Sequence, residues 1–453
     1  MPSLEEFIAQ SQRGIYSGAL GPDFLRKQTF FQTTNVLTNT FGRKFWHGLN
    51  NQTRIYNALP KVVWGNTVGW RVVTDRGDDA GNWRSRPITE AGTLPTVDVS
   101  GINNVSSLPR IVGTTFGVGV QAIFAAGLEG GMGDVVAMEM ENAQKHHIKE
   151  INQELLAGSA YIVSAGAATT FTVPGGIAHH FKPGDAVGMH DESGGAFDRA
   201  APGSAVSAVT PPNRTTGVVT IVTGTAFADG DIAYIVSRAG LTSLDDVTMA
   251  DLAAASNTGV GGSAAAVDVY DVTTRTAGTW SAGATAQTVA YNSGAGRDLA
   301  LNLIDNLARN IRFNGGEPNL IVMGHDQYFR LERLLQAQQR FMGYEEYQVG
   351  VGDERTFPGT RAGLNLATYV GLPILPEPDC PRSVSTTDAI LGTNLYVLDT
   401  TAMEIAIASP TQYMENRDYF ALNQMAMRGL IYTMGELRAH LIWTQGKVAD
   451  LNE

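Results

Sequence analysis

The stretch from Arg54 to Arg110 constrains this chain most, because its pattern predicts a long extended ribbon with no core of its own. It holds Trp64, Trp70 and Trp83, which are half of the six tryptophans in the protein. A two-stranded ribbon is at best marginally stable alone, and large aromatic side chains left in water form adhesive patches. We therefore expect this arm to lie on another surface, such as a neighbouring copy of the same chain.

The charge of the arm has the opposite sign to that of the whole chain. The arm carries seven Lys and Arg residues against five Asp and Glu, a net charge of +2, whereas the whole chain has a net charge of −12. Opposite signs favour docking of the arm on another copy, although the arginines could equally be solvated surface charges. The predicted subunit-contact residues are Trp70, Arg76, Trp83, Arg84 and Arg86, with Trp83 at the tip.

The overall composition predicts a folded globular protein with more than one domain. Of its 453 residues, 43% are hydrophobic and 17% are charged, and the chain is longer than one ordinary core requires. The acidic net charge argues against sequence-independent binding of nucleic acid, which depends on releasing counterions from phosphates. The single cysteine, Cys380, excludes an internal disulfide framework.

Neither a signal peptide nor a membrane span is predicted. Glu5 and Glu6 stand where a signal peptide has basic residues. The most apolar run, Val118 to Leu128, is far shorter than the ~20 residues that span a bilayer. We therefore expect synthesis in the cytosol and no membrane partner.

The clearest regular element is a helix predicted over Asp134 to Leu156. Glu141 and Lys145 form a favourable pair one turn apart, and Gly158 is expected to end the helix. Residues that recur every three or four positions predict its buried face. They are Val136, Met140, Ala143, His147, Ile151 and Leu155.

Short β-strands are predicted between Gly158 and Gly240. Residues 181–187 (Phe-Lys-Pro-Gly-Asp-Ala-Val) are echoed by residues 227–233 (Phe-Ala-Asp-Gly-Asp-Ile-Ala), which predicts two related strand-turn-strand units in a small barrel or sandwich. The predicted strands are Thr170 to Val173, Ala186 to Met189, Val218 to Val222 and Ile232 to Val236.

The C-terminal half predicts an α/β domain followed by strands. A helix over Arg297 to Asn314, a strand over Asn319 to Gly324 and a helix over Asp326 to Phe341 follow one another. Further on, Leu395 to Asp399 is expected to pair with Glu404 to Ala408. The last two predicted strands are separated by a turn or bulge at Gly435 and Glu436.

Residues able to carry chemistry are few. The glycines at 130, 131 and 133 precede a helix, but Asp134 and the valines after it replace the Lys and Ser/Thr of a phosphate-binding loop. Cys380 has no histidine partner in its sequence context. We predict no enzyme activity and no catalytic, cofactor-binding or metal-binding residues. The groups considered as metal ligands are His146, His147, His179, His180, Asp185, His190 and Asp191.

The order of these elements resembles that of the major capsid proteins of tailed bacteriophages, which have the Hong Kong 97-like fold. The resemblance covers nearly the whole chain. It implies an α+β fold with an N-terminal arm, an extended E-loop, a peripheral (P) domain, an axial (A) domain and an inserted β-rich barrel or sandwich module. The implied domains are 1–53 (N-terminal arm), 54–110 (E-loop), 111–157 (P domain, spine helix 134–156), 158–240 (inserted module), 241–389 (A domain) and 390–453 (A-domain end and closing P-domain strands).

The resemblance also implies a function. The chain would be a structural protein that self-assembles into pentamers and hexamers of an icosahedral shell, around packaged double-stranded DNA that it does not bind by sequence. Scaffolding, portal and decoration proteins would be further partners. The shell would assemble in the host cytoplasm and become the virion capsid. The alternatives are an encapsulin-like compartment of the same fold and a glycine-rich enzyme with unrecognised chemistry.

Overall fold

The computed structural model divides into two compact units. Among the described residues, the first comprises Gly113–Ile148 and Ser409–Thr433, and the second comprises Thr53–Val112, Lys149–Ala408 and Met434–Glu453. The structure describes residues 54–65, 69–74, 88, 90, 92, 100–119, 135–158, 160–163, 165–167, 169–174, 178, 180–190, 204–209, 216–222, 231–248, 269–272, 280–281, 283–285, 296–336, 368–384, 390–416 and 426–453.

The described helices and strands follow one another in two runs. The first is α1 (Arg54–Ala58), β1 (Lys61–Val63), β2 (Gly69–Val73), β3 (Ile102–Ser106), β4 (Arg110–Gly119), α2 (Val135–Leu155), β5 (Ala160–Ile162), β6 (Ala165–Ala167), β7 (Thr170–Pro174), β8 (Ala186–His190), β9 (Ser204–Val209), β10 (Thr216–Ile221), β11 (Ile232–Ser237) and α3 (Leu244–Thr248). The second is β12 (Ala284–Thr285), α4 (Leu301–Phe313), β13 (Leu320–Met323), α5 (His325–Gln336), β14 (Thr368–Tyr369), β15 (Leu372–Pro376), β16 (Arg382–Val384), β17 (Ile390–Thr393), β18 (Leu395–Leu398), β19 (Met403–Asn416), β20 (Ala426–Ala439) and β21 (Gly446–Val448).

These strands form three larger sheets and two ribbons within the described parts of the chain. The strand orders are β1-β19-β20-β4, β5-β11-β8-β9-β10-β7-β6 and β12-β21-β18-β13-β15-β14, and the two ribbons are β2-β3 and β16-β17.

The first unit has its core between α2 and the strands. Phe116 of β4 and Tyr413 of β19 stack with ring centroids 6.0 Å apart and pack with Met140 and Ile431. Gly429 must lack a side chain, because a Cβ there would lie 2.6 Å from both rings. The small residue thus allows the aromatic pair to form.

The predicted long helix is confirmed as α2, one residue shorter at each end. Its predicted face is buried, and Glu141 and Lys145 form the expected exposed ion pair at 3.0 Å. The prediction that Gly158 ends the helix is wrong. Gly158 is buried beyond the helix end, and a Cβ there would overlap the hydroxyl oxygen of Tyr161, so this glycine is required by packing.

The β-rich segment forms an antiparallel seven-stranded sheet around its own core. Its edge strands β5 and β6 are separated by only two residues in the chain, so the sheet must fold over on itself, as in a barrel or a sandwich. The four predicted strands are confirmed, and the repeated Asp185 and Asp231 are both buried. That this module is an insertion stays a prediction. Its core comprises Tyr161, Val163, Phe171, Val173, Ala178, Phe181, Val187, Val206, Val219, Ile221, Ala233 and Ile235.

The predicted α/β part is confirmed by α4, β13 and α5. The central strand β13 runs parallel to β15 and antiparallel to β18, and α4 packs on the sheet through Leu303, Leu307 and Ile311. The C-terminal strand β21 completes the sheet beside β18, where Val448 and Leu451 are fully buried. Residues near the end of the chain therefore belong to this core.

Two strand predictions are wrong. β18 pairs with β13 and β21 rather than with β19, because Asp399 caps a short 3-10 turn over Thr400–Ala402 and the chain then enters a different sheet. Gly435 and Glu436 do not form a turn between two strands but lie inside the continuous strand β20, and the alternative of a bulge there stays a prediction. Gly435 is needed there because a Cβ would lie 2.7 Å from the carbonyl oxygen of Ala406.

Candidate functional site

The root of the arm is a two-stranded antiparallel ribbon. β2 pairs with β3 in a register that places Val73 opposite Ile102. Side chains alternate across each strand, so the ribbon has two different faces. Val72 and Val105 are buried on one face, whereas Val73 and Ile102 are both 56% exposed on the other. The root therefore presents an apolar pair outward while it packs inward.

Trp70 holds the inner face of the root against its own chain. Its Nε1 donates to the carbonyl oxygen of His440 at 3.3 Å, and its ring meets those of Tyr270 and His440 edge-on, with centroids 5.1 and 5.2 Å away. At its root the arm therefore lies on another surface, as expected, but that surface belongs to its own chain. The packed residues are Trp70, Val72, Val105, Tyr270, Val272, Trp280, Leu441 and Trp443.

Trp64 is also held within the chain. The guanidinium of Arg438 lies 3.8 Å above its ring centroid, which is a cation–π contact. Arg438 is 7% exposed, its Nε donates to the hydroxyl of Ser107 at 3.0 Å, and its Nη1 lies 3.9 Å from a carboxylate oxygen of Glu404. These contacts compensate a buried charge. They also anchor both ends of the arm, since Trp64 precedes the ribbon and Ser107 follows it.

Glu436 is a buried carboxyl group beside the end of the arm. It accepts hydrogen bonds from the backbone nitrogens of Thr242 at 2.7 Å and Leu437 at 3.0 Å, and it lies 3.7 Å from the Nε of Arg110. Burial raises the pKa of Glu436 to about 7, although these hydrogen bonds and Arg110 oppose the rise. The group therefore titrates near neutral pH.

A second buried polar cluster joins the β-rich module to α2 and α3. Arg238 donates to Asp246 and to the carbonyl oxygen of Gly158. Glu154, in the last turn of α2, is also buried, and this burial raises its pKa to about 7 against the opposing charges of Arg238 and Lys182. This junction combines one strong ion pair with one carboxyl group that binds a proton readily.

Exposed apolar side chains concentrate in the described part of the arm and directly beside it. Among the described residues, seven of the twelve exposed large apolar side chains lie between residues 62 and 111, and Val63 is 81% exposed. Single exposed apolar residues are ordinary, but a concentration of them marks an interaction surface. The seven are Val62, Val63, Val73, Ile88, Ile102, Leu108 and Ile111.

Only one of the five predicted contact residues lies in the described part of the chain. Trp70 is half-buried and packs on Tyr270 and His440 of its own chain, and its contact with a second copy stays a prediction. The other four, Arg76, Trp83, Arg84 and Arg86, lie outside the described residues.

Three of the residues considered for chemistry are buried inside the chain, namely His147, His180 and Cys380. His147 is hydrogen-bonded to threonines, His180 Nδ1 accepts from the backbone nitrogen of Gly158, and burial raises the pKa of the Cys380 thiol. The described residues contain no group of three or more His, Cys, Asp or Glu placed to bind a metal. The candidates outside the described residues are Gly130, Gly131, Gly133, His179 and Asp191.

The residues that fix the arm root were not predicted from the sequence. Arg438 and Glu436 interrupt a strongly apolar stretch, and this interruption was a usable signal for buried polar partners. Nothing in the sequence marked Tyr270 and Asp271 as contacts of the arm, because they lie in a segment rich in alanine, glycine and threonine.

No helix in the described part of the chain combines the length and the hydropathy that crossing a membrane demands.

Comparisons with known proteins identify both a family model and similar structures. The model described as SU10 major capsid protein matches residues 49–416. The chain is similar to a solved structure described as the cyanophage A-1(L) capsid asymmetric unit, with 12% identity and a TM-score of 0.51 over 88% of this chain and 93% of that chain. This likeness shows a shared fold and confirms the α+β, Hong Kong 97-like prediction.

Two further solved structures show weaker similarity. A capsid of a native GTA particle is 12% identical, with a TM-score of 0.41 over 87% of this chain and 89% of that chain. A structure described as Mycobacterium phage Adephagia is 10% identical, with a TM-score of 0.39 over 88% and 89%. No curated protein matches the chain.

Proposed function

The chain belongs to the SU10 major capsid protein family, and we propose that it builds a closed icosahedral shell of pentamers and hexamers around packaged double-stranded DNA. The observation that carries this proposal is the family match over residues 49–416. Membership of this family implies a structural role in a phage-type capsid rather than catalysis. The shell would form in the host cytoplasm and become the virion capsid.

The arm supports a proposal of lateral contacts between copies. Its described part exposes apolar side chains such as Val63, Val73 and Ile102, and burying them on a neighbour would remove them from water. The arm is also slightly basic on an acidic chain, which favours docking on a second copy. We propose that Trp83, Arg84 and Arg86 make this contact beyond the root.

Many moderate contacts would then stabilise the shell together. Specific interfaces bury on the order of 1,000–2,000 Å² each, and a subunit that engages several neighbours gains from their combined effect. Closed symmetry leaves few arms without a partner, and it limits the exposed edges that could recruit stray chains. Stability of the particle would thus exceed that of any single contact.

The charge of the chain fits a container rather than a DNA-binding protein. A net charge of −12 disfavours tight, sequence-independent binding of the phosphate backbone. Weak attraction would let DNA enter and leave the shell. We propose that scaffolding, portal and decoration proteins are further partners.

The alternatives are less well supported. An encapsulin-like compartment would share the fold, but the family match is to a phage major capsid protein. A glycine-rich enzyme finds no support in that match.

Sedimentation of the purified chain tests the proposal, with scaffolding protein supplied where assembly needs it. We expect a fast-sedimenting species that electron micrographs show as closed shells. A 48.3 kDa species that never assembles under any of these conditions would contradict the proposal.

A further inference from the structure

A two-residue turn at Tyr270 and Asp271 lies beside the arm root. Val269 and Val272 exchange backbone hydrogen bonds in both directions, at 3.3 and 3.0 Å, so the turn is closed by its own backbone. Tyr270 has a φ of +61°, a left-handed conformation that is unfavourable for a residue with a side chain. Glycine would adopt this conformation without strain, but it could not supply the tyrosine side chain.

The first side chain of the turn binds the body of the protein. The hydroxyl of Tyr270 donates to the carbonyl oxygen of Leu437 and accepts from the backbone nitrogen of Ala439, both at 2.7 Å. These two groups lie at the end of β20. Tyr270 therefore supplies hydrogen-bond partners for two backbone groups at the end of β20.

The second side chain of the turn binds the arm. The carboxylate of Asp271 accepts from the backbone nitrogen of Ser106 at 2.8 Å and from its hydroxyl at 2.9 Å. Ser106 is the last residue of β3, on the strand that returns from the arm. Val272 packs with Val72 and Val105 on the inner face of the same ribbon.

We propose that Tyr270 and Asp271 are positioning residues that attach the arm root to β20 and set the direction in which the arm leaves the subunit. We call this attachment the clip. A two-stranded ribbon is marginally stable alone, so the root needs such an attachment. The turn supplies this attachment because Tyr270 binds β20 and the adjacent Asp271 binds β3. The inference rests on the proposed function, because a fixed arm direction matters only if the arm must meet a neighbouring copy.

Amide hydrogen exchange of the unassembled chain tests the clip directly. In Asp271→Ala we expect exchange in β2 and β3 to rise by about tenfold or more, because a charge-assisted attachment is lost, with exchange in α4 unchanged. Asp271→Asn keeps an oxygen acceptor for the Ser106 nitrogen and should restore most of the protection. Tyr270→Phe removes the hydrogen bonds of the turn to β20 and should also raise exchange in β2 and β3. Unchanged exchange in Asp271→Ala and Tyr270→Phe would overturn the clip.

Particle yield tests what the clip does. Asp271→Ala should lower the yield several-fold at an unchanged melting temperature, and Asp271→Asn should recover it. A yield equal to that of the parent, despite faster exchange in the ribbon, would overturn the assembly role. If the parent chain itself forms no particles, the proposed function fails, while the exchange experiment still decides whether the clip exists.

Discussion

Arg238 and Asp246 form a buried bidentate ion pair, in which Nε and Nη2 of the guanidinium donate to the two carboxylate oxygens at 2.7 and 2.9 Å. Nη2 also donates to the carbonyl oxygen of Gly158. The pair therefore ties β11, α3 and the end of α2 together at one point. Removing either partner leaves the other buried without the opposite charge of the pair.

We predict that Arg238→Met lowers the free energy of unfolding by about 3–5 kcal/mol, because the buried carboxylate of Asp246 would lose its ion-pair partner. Urea denaturation of the unassembled chain measures this change. Lys145→Met is the matched control, since it breaks the exposed pair with Glu141 and should cost less than about 1 kcal/mol. Equal effects of the two substitutions would argue against the role given to the buried pair.

Because of Glu436, we predict that the free energy of unfolding depends on pH. Its pKa is raised in the folded chain from 4.5 to about 7, so the folded state binds this proton more tightly than the unfolded state. The resulting stabilisation, at most about 3 kcal/mol, is fully present below pH 4.5 and is lost as the pH rises through 7. Glu436→Gln should therefore stabilise the chain at pH 8 and change little at pH 5.

Chemical denaturation across this pH range measures the effect of Glu436→Gln. Part of the slope should persist in this variant, because Glu154 also has a pKa of about 7. Glu141→Gln, at an exposed position, should leave the pH profile unchanged. A Glu436→Gln profile as steep as that of the parent would contradict the assignment.

We predict that Gly158 does not tolerate substitution by alanine, whereas Gly119 does. Gly158→Ala should destabilise the chain by about 1–3 kcal/mol, because the new Cβ would collide with the hydroxyl of Tyr161. Gly119→Ala should be close to neutral, since no atom lies within 4 Å of a Cβ built there. Thermal unfolding of the two variants makes the comparison, and a neutral Gly158→Ala would show that Tyr161 can move aside.

We predict that substituting the adjacent histidines His146 and His147 of α2 has very different effects on stability. His147 is buried, with Nδ1 3.1 Å from the hydroxyl of Thr114 and Nε2 2.9 Å from that of Thr433. His147→Leu should cost about 1–3 kcal/mol, because both hydroxyls lose this partner. His146→Leu, at the exposed neighbouring position, should have little effect. Denaturation curves that coincide for the two variants would refute the contrast.

Two tryptophans of the arm should separate folding from assembly. Trp83→Ala should lower particle yield and leave the circular dichroism of the monomer unchanged, if the tip docks on a neighbour. Trp70→Ala should lower the stability of the monomer, because Trp70 packs on Tyr270 and His440 within its own chain. A collapsed monomer fold in Trp83→Ala would contradict the proposed role of the tip.

The elements with local signals could be predicted from the sequence. The buried face of α2 recurs every three or four residues, and the helices α4 and α5 follow the same rule. The strands of the β-rich module stand between turn residues such as Gly184, which has a positive φ. In these cases the residues that specify the element lie within it.

The errors arose where distant segments decide the structure. Glycine 435 resembles a turn residue in sequence, yet it lies in a strand because the carbonyl oxygen of Ala406 approaches it closely. The partner of β18 depends on the cap at Asp399, which redirects the chain after the strand has ended. The arm root could not be predicted either, because Trp70 packs on a turn that lies 200 positions along the chain.

Cryo-electron microscopy of the assembled chain tests the central claim most directly. The account predicts closed particles with rings of five and six subunits, in which the arm of each subunit from residue 74 to residue 100 lies on a neighbouring copy. Particles whose arms fold back on their own subunits, or a chain that remains monomeric with scaffolding protein present, would contradict it.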